Sequence, residues 1–143
     1  MKKILMLITA AVITISGFAK EPNAKVLKAF TESFKDAREV VWYEGNDMFE
    51  VKFLQEDIKS KITYDTEGNI ISTLRYYNEQ QLPLMVRAQV KKRFADMKVF
   101  GVTELTENGE VSYHIVLEGD KKWINIKSDA FGTISVQSRL KKA

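Results

Sequence analysis

Two short segments of the 143-residue chain repeat one pattern, and this repeat constrains the fold more than any other feature. Residues 62–71 read ITYDTEGNII, and residues 124–135 read INIKSDAFGTIS. Each segment alternates apolar and polar side chains, reaches an aspartate, and has a glycine three residues later. Because Asp caps a type I turn and Gly adopts the positive φ that follows, the pattern predicts two β-hairpins of the same kind.

The correspondence extends beyond these hairpins to the two halves of the chain. When one half is laid on the other, Phe34 corresponds to Phe94, and further along Gly68 corresponds to Gly132. The four extra residues between these positions in the second half fall in a hairpin turn, where insertions are tolerated. The sequence therefore predicts two copies of one α-β-β-β-β unit, with residues 20–78 as the first repeat and residues 79–143 as the second.

Hydrophobic periodicity predicts the elements within each copy. Apolar residues at helical spacing indicate a helix over residues 24–37 and another that begins near Pro83. Alternating runs separated by short turns rich in Gly, Asn and Asp indicate four antiparallel strands after each helix. The predicted class is α+β, with two tandem units forming one domain and helices on one face of an antiparallel sheet. Whether the strands form one continuous sheet or two stays open at this stage.

The first nineteen residues have the pattern of a cleaved secretory signal. Lys2 and Lys3 precede the uncharged apolar run Ile4–Phe18, and Gly17 and Ala19 are small residues at the −3 and −1 positions. The run is shorter than the roughly 20 apolar residues of a membrane-spanning helix. We therefore predict a signal peptide over residues 1–19 and a periplasmic or secreted protein that begins at Lys20, without stable membrane insertion.

Composition excludes several classes of function. The formal charge of +3 includes Lys2 and Lys3, and residues 1–19 hold no acid, so the predicted mature charge is +3 − 2 = +1. This weak charge gives no indication of nucleic-acid binding. The chain has no cysteine, hence no disulfide or thiolate metal site. It has one histidine and no Gly-x-Ser-x-Gly motif, so we predict no enzyme, no metal site and no cofactor.

Several short motifs carry a family resemblance. The chain resembles the PepSY-like family of β-lactamase-inhibitor-like proteins in Phe30, Phe34, Val40-Val41-Trp42, Tyr64-Asp65-x-x-Gly68 and Leu82-Pro83-x-x-Val86. The resemblance implies helices on one side of a larger sheet whose open face can hold a partner. The chain lacks the cysteines of the β-lactamase inhibitor protein and is shorter, so inhibitory activity is not carried over from that protein. No functional residue is carried over either, because the motif shared with the family is structural.

Strand alternation divides the two tryptophans between the faces of the sheet. Trp42 follows the first helix at the parity of Val40, which predicts a core position. Ile124 and Ile126 indicate the core face of their strand, so Trp123 should point to the other side. We predict a candidate partner-binding face from the aromatic and basic residues expected on that side: Trp123, His114, Arg139, Lys127, Tyr77, Arg75 and Tyr43.

These observations favour an exported, non-catalytic binding protein of the cell envelope, whose partner is another envelope or secreted protein. An inhibitor of a secreted enzyme is one form of such a module. The alternative is a small-ligand- or metal-responsive periplasmic protein that binds its ligand between helix and sheet. A third interpretation, scattered surface residues without a common role, also fits the sequence of the candidate face.

Overall fold

The computed structural model describes residues 19–143, so the predicted signal peptide lies outside the described residues except for Ala19. Within this range two helices and eight strands follow one another, with one short 3-10 turn at Glu79–Gln81. The elements are α1 (Ala24–Ser33), β1 (Arg38–Gly45), β2 (Met48–Gln55), β3 (Ile58–Asp65), β4 (Ile70–Tyr77), α2 (Leu84–Arg93), β5 (Lys98–Glu107), β6 (Glu110–Glu118), β7 (Lys122–Asp129) and β8 (Ile134–Lys141).

Local sequence explains where both helices begin and end. The Asn23 side chain accepts the backbone N–H of Val26 at 3.0 Å and so caps the first turn of α1. Pro83 precedes α2, where the missing N–H of proline costs no helical hydrogen bond. Each helix ends just before a phenylalanine, Phe34 or Phe94, whose backbone leaves the helical conformation. Both helices are therefore only ten residues long.

All eight strands form one antiparallel sheet in the order of the chain. This observation answers the question of one sheet or two, because β4 pairs with β5 and joins the two halves of the chain. The seam between them runs from the pair Ser72–Glu107 to the pair Tyr77–Val102. The other connections between neighbouring strands within each half are short turns, as the Gly, Asn and Asp residues of the sequence predict.

Two hydrophobic clusters make up the core, one in each half. Val26 and Phe30 of α1 pack against β2 and β3 in the first cluster. Val86 and Val90 of α2 pack against β6 and β7 in the second. The strand pairings place both clusters on the same side of the sheet, which we call the core face; the opposite side is the outer face. Each fully buried aliphatic side chain contributes about 1.5–3 kcal/mol to stability.

The predicted α+β class, with helices packed as a layer on one face of the sheet, is wrong. Strands hold 54% of the described residues and helices only 18%, so the protein is mainly a single antiparallel sheet. The two short helices each cover the cluster of their own half and do not form a helical layer. Between these clusters, Thr73, Arg75 and Glu104 of the sheet centre are only half-buried. The helical spacing that extended to residue 37 in the sequence ends at Ser33 in the structure.

The two Asp-x-x-Gly segments form the predicted hairpin turns, and each turn packs beneath a helix. The carboxylates of Asp65 and Asp129 each accept two backbone N–H groups of their own turn at 2.9 Å. Gly68 and Gly132 have positive φ values of 89° and 86°. A Cβ atom at Gly68 would lie 3.1 Å from the Lys25 carbonyl oxygen of α1, so the turn closely approaches the helix. The element order is α-β4 twice, while duplication of the sequence itself stays a prediction.

Candidate functional site

The outer face carries four of the seven residues predicted for the partner-binding face. Tyr43 lies on β1, His114 on β6, and both Trp123 and Lys127 on β7. His114 and Lys127 are directly opposite each other in the β6–β7 ladder. Because paired residues of antiparallel strands share a face, these two side chains form neighbouring parts of one surface.

The other three predicted residues lie on the core face, which corrects the expectation that all seven share one surface. Arg139 pairs with the buried Ile124 in the β7–β8 ladder. Tyr77 is itself buried and pairs with the buried Val102 across the seam. Arg75 is two residues before Tyr77 on β4 and therefore has the same orientation.

Two β-bulges explain why strand alternation assigned these three residues to the wrong face. The β3–β4 register shifts by one residue at Ile71, and the β7–β8 register shifts by one residue at Gln137. A shift of one residue reverses the face of every side chain that follows. Neither bulge carries a glycine, so the sequence offers no local signal of either reversal.

An exposed aromatic pair dominates one end of the outer face. The rings of Phe100 and Trp123 meet edge to face with centroids 5.1 Å apart, and Lys142 Nζ lies 4.9 Å from the Trp123 ring centroid. Phe100 is 64% exposed, whereas Trp123 is half-buried. Phe100 was not predicted as a site residue. It is the extra residue of a bulge between Val99 and Gly101, and this glycine was the available signal.

His114 occupies the middle of the outer face as a neutral hydrogen-bonding group. Its Nε2 lies 3.4 Å from Ser112 Oγ, a long contact between two residues of one strand. The pKa of the imidazole lies below its ordinary value of 6.5, mainly because the ring is partly buried and secondly because of the positive charge of Lys127. The ring is therefore uncharged at neutral pH and can both donate and accept a hydrogen bond.

A buried carboxylate organises the opposite end of the outer face. Glu50 is 3% exposed, and its Oε2 lies 3.0 Å from Lys61 Nζ, an ion pair whose angle is not that of a hydrogen bond. Lys52 Nζ lies 3.7 Å from Glu50 Oε1 and 4.7 Å from the centroid of the Tyr43 ring. Sequence analysis missed Glu50 because a charged residue on alternating strand positions predicts exposure. The carboxylate holds both lysines in place and thereby positions the Tyr43 ring.

Arg75 and Tyr77 belong to a polar network on the core face at the seam. Arg75 Nη1 donates to Glu104 Oε1 at 3.3 Å, and the Tyr77 hydroxyl donates to Oε2 of the same carboxylate. The pKa of Tyr77 is raised above its ordinary value, mainly by burial and secondly by the hydrogen bond to Glu104. Because Glu104 belongs to β5, the network joins the two halves of the chain. Sequence reasoning missed Glu104, since no local pattern indicates a pairing 29 residues away.

A pocket of 340 Å³ lies beside this network, between the end of α1 and strands β2 to β4. Its walls combine the apolar Phe34, Phe53 and Ile58 with two charged side chains, Arg75 and Glu56. A pocket of 610 Å³ in the second half is lined by the corresponding Phe94 and Arg139. Both pockets therefore combine apolar walls with a guanidinium group and at least one carboxylate side chain.

Two other kinds of site receive no support from the described part of the chain. Within residues 19–143, no three or more Asp, Glu, His or Cys side chains are grouped where they could hold a metal ion. No helix in the same range has both the length and the apolar character needed to cross a membrane.

Comparisons with known proteins identify the fold. No family model matches the chain, and no curated protein matches it. A DUF2874 family protein from Bacteroides ovatus is similar in structure, with a TM-score of 0.63, 15% identity, and coverage of 85% of this chain and 89% of that protein. A BLIP-like protein from Bacteroides fragilis gives a TM-score of 0.63 at 14% identity, with coverage of 85% and 87%.

A third similar structure comes from Bacteroides eggerthii and is provisionally named a periplasmic protein. Its TM-score is 0.62 at 12% identity, and the match covers 85% of this chain and 90% of that protein. Identities this low establish a common fold and nothing finer. The chain therefore shares its fold with these three structures.

Proposed function

We propose that this chain is an exported, non-catalytic binding protein of the cell envelope, related to the PepSY-like and β-lactamase-inhibitor-like proteins. Its outer face engages another envelope or secreted protein. Four predicted residues, Tyr43, His114, Trp123 and Lys127, contribute to that face, and Phe100 joins them.

The aromatic pair of Phe100 and Trp123 is the observation that carries this proposal. The exposed Phe100 ring leaves apolar surface in contact with water, and a partner that covers the ring removes this unfavourable contact. Aromatic residues are enriched at the centre of protein interfaces, and Lys142 lies over the face of the Trp123 ring. The neighbouring His114 and Lys127 supply a neutral and a charged polar group that can determine the orientation of a partner.

The similar structures support the same class of function. One of them is named BLIP-like, and another is provisionally named periplasmic. The predicted signal peptide over residues 1–19 agrees with an envelope location. By this analogy of fold, inhibition of a secreted enzyme is a specific form of the proposed binding activity.

The surroundings of His114 favour binding over catalysis. A catalytic imidazole needs a nucleophile within hydrogen-bonding reach and an acceptor that orients the ring. In the described residues, the contacts of His114 are the distant hydroxyl of Ser112 and the positive charge of Lys127. A cation beside the ring opposes the imidazolium ion that general-base catalysis would form.

A capture experiment tests the proposed face. The tagged protein, purified after export, is used to capture partners from envelope extract, and Phe100→Ala and Trp123→Ala are compared with wild type. We expect both variants to lose the partner, whereas Leu84→Ala, which removes a 72% exposed side chain on α2, retains it. Capture that is unchanged in Phe100→Ala would exclude this face. An enzyme recovered in this way is then assayed with and without added protein to test inhibition.

The 340 Å³ pocket favours one other function, binding of a small ligand between helix and sheet. Its apolar walls and Arg75 predict a ligand with a carboxylate and a hydrophobic body. Small aromatic and aliphatic carboxylates should then raise the melting temperature of wild type but not of Arg75→Met, with Lys92→Met as a control on the exposed surface of α2. No increase with any such ligand would leave the outer face as the proposed site.

A further inference from the structure

The two edges of the sheet correspond to the two strands that meet at its centre. The alignment of Gly68 with Gly132, which relates the C-terminal parts of the two halves, places Arg139 of β8 on Arg75 of β4. In the structure both arginines pair with the third strand of their own unit, Arg75 with Ser60 and Arg139 with Ile124. The edge of β4 that faces away from β3 pairs with β5, whereas the edge of β8 that faces away from β7 has no neighbouring strand in the described chain.

The same correspondence relates β1 to β5. The alignment of Phe34 with Phe94 also places Glu44 of β1 on Glu104 of β5, the residue that accepts the hydrogen bond from Arg75. The edge of β5 that pairs with β4 therefore corresponds to the edge of β1 that faces away from β2, which is the other edge of the sheet. A pair of complementary edges, joined once at the seam, recurs at the two ends of the sheet.

We propose that β8 of one copy of this protein pairs antiparallel with β1 of a second copy, in the register that β4 and β5 have at the seam. The pairs Arg75–Glu104, Tyr76–Thr103 and Tyr77–Val102 define that register. Their equivalents across the interface are Arg139 with Glu44, Leu140 with Tyr43, and Lys141 with Trp42 of the second copy. The contact joins different edges, so it is heterologous and produces a ring or an extended assembly.

The charges of the two edges support this pairing over the alternatives. Residues 134–142 carry Arg139, Lys141 and Lys142 and no acid. Strand β1 carries two acids, Glu39 and Glu44, and one base. Two β8 edges would place like charges opposite each other, which is destabilising, whereas β8 against β1 places opposite charges in contact.

The assembly would also bring distant parts of the outer face together. Tyr43 and Trp123 are six strand spacings apart in one chain, about 29 Å at about 4.8 Å per spacing. Trp123 pairs with Leu140 on β8, and Leu140 would pair with Tyr43 of the second copy. Edge pairing does not depend on the proposed partner protein, because it uses the strand edges and leaves the outer face unoccupied.

The N-terminal segment competes for the same edge. Lys20 Nζ lies 2.8 Å from Glu44 Oε2, and Ala19 forms an isolated antiparallel bridge with Tyr43 on the edge of β1 that faces away from β2. Cleavage after Ala19, as predicted from the sequence, removes this bridge and leaves only the exposed Lys20 contact. Exposed ion pairs contribute little to stability, so Arg139 of a second copy can displace Lys20.

Disulfide trapping tests the register directly, because the native chain has no cysteine. Paired residues of an antiparallel ladder have Cα atoms about 4.5–5.5 Å apart, within the range of a disulfide. We expect the variant Glu44→Cys with Arg139→Cys, purified after export, to form a ladder of covalent multimers in a non-reducing gel. The two cysteines of one chain are about seven strand spacings apart and cannot react with each other. A control with Glu32→Cys and Lys92→Cys on the helices should remain monomeric, and a monomeric Glu44–Arg139 variant would overturn the proposal.

Charge reversal supplies an independent test by sedimentation velocity across a range of concentrations. Arg139→Glu or Glu44→Arg alone should raise the dissociation constant about tenfold or more, and the double variant should recover most of the wild-type association. Lys92→Glu changes the net charge as Arg139→Glu does but lies on α2, so it should have no effect. Wild type that is monomeric at every concentration, or a double variant that does not recover association, would refute the edge pairing.

Discussion

Adding one methyl group to each of three glycines separates the cost of backbone strain from the cost of displacing a helix. Gly68, Gly132 and Gly109 all have positive φ, at 89°, 86° and 77°. Alanine in this conformation is less stable than glycine by about 1–2 kcal/mol, part of which is offset by the lower entropy of the unfolded alanine variant. Gly109 has no atom within 4 Å of a built Cβ, so Gly109→Ala should cost about 1 kcal/mol.

The other two glycines face a helix. A Cβ at Gly68 would lie 3.1 Å from the Lys25 carbonyl oxygen, and one at Gly132 would lie 3.2 Å from the Met85 carbonyl oxygen and 2.8 Å from Gln89 Cγ. A backbone oxygen cannot move without displacing the helix, and overpacking of this kind typically costs about 1–3 kcal/mol. Gly68→Ala and Gly132→Ala should therefore cost about 2–4 kcal/mol each, the sum of the strain and packing costs.

Urea unfolding followed by tryptophan fluorescence measures these differences, with Gly101→Ala as a fourth variant. Gly101 has no positive φ and no atom within 4 Å of a built Cβ, so this change should be nearly neutral. The expected order of destabilisation is Gly68 and Gly132, then Gly109, then Gly101. Equal losses for Gly68→Ala and Gly109→Ala would show that the first Asp-x-x-Gly turn does not pack against α1, and would refute this reasoning.

Three further predictions concern pH, packing and processing. Burial raises the pKa of Tyr64 to about 12 and also raises the pKa of Tyr77, whereas tyrosine in the unfolded chain ionises near pH 10. Above about pH 10 the folded state therefore retains protons that the unfolded state has lost. Unfolding titrations should show the free energy of unfolding falling by about 1.4 kcal/mol for each tyrosine with each unit by which the pH rises. Tyr77→Phe should reduce this slope, and an unchanged slope would contradict the assignment. Trp42 and Trp123 are both half-buried, but the Trp42 ring packs against the core, with its centroid 5.2 Å from that of Phe30, whereas Trp123 packs against the exposed Phe100. Trp42→Ala should therefore cost near the lower end of about 3–5 kcal/mol, and Trp123→Ala about 1 kcal/mol. Equal losses in the same urea assay would contradict this difference. The intact mass of the exported protein should equal that of a chain whose first residue is Lys20. Recovery of the uncleaved chain from membranes would refute the predicted signal peptide.

Local patterns in the sequence were sufficient to predict the turns and the strands. Asp65 and Gly68 predict a hairpin because their own side-chain and backbone preferences select the turn. The class was harder to predict, because the helical spacing up to residue 37 does not show that α1 ends at Ser33. The share of the sheet also depends on β4 pairing with β5, which joins all eight strands.

Residue orientation and long-range contacts could not be obtained from the sequence in this way. Alternation assigned Arg75 and Arg139 to the outer face because bulges at Ile71 and Gln137 leave no recognisable residue pattern. The ion pair between Arg75 and Glu104 depends on which strands are neighbours, a property of the whole sheet. The buried Glu50 was missed for a different reason, since a charged residue on a strand predicts exposure and the sequence does not show that Lys61 lies 3.0 Å from its carboxylate.

The correspondence between the two halves determines what is left at the ends of the sheet. A unit whose last strand fits the first strand of the next unit uses this fit once when two units are joined, and one matching pair of edges is left over. In this chain the joined pair carries Arg75 and Glu104 on the core face, and the remaining edges carry Arg139 and Glu44 at the corresponding positions. Exposed strand edges usually carry features that prevent pairing, and the like charges of β8 discourage it from pairing with itself. They do not discourage pairing with β1, because the edges of this sheet differ in charge as the two strands of its seam do.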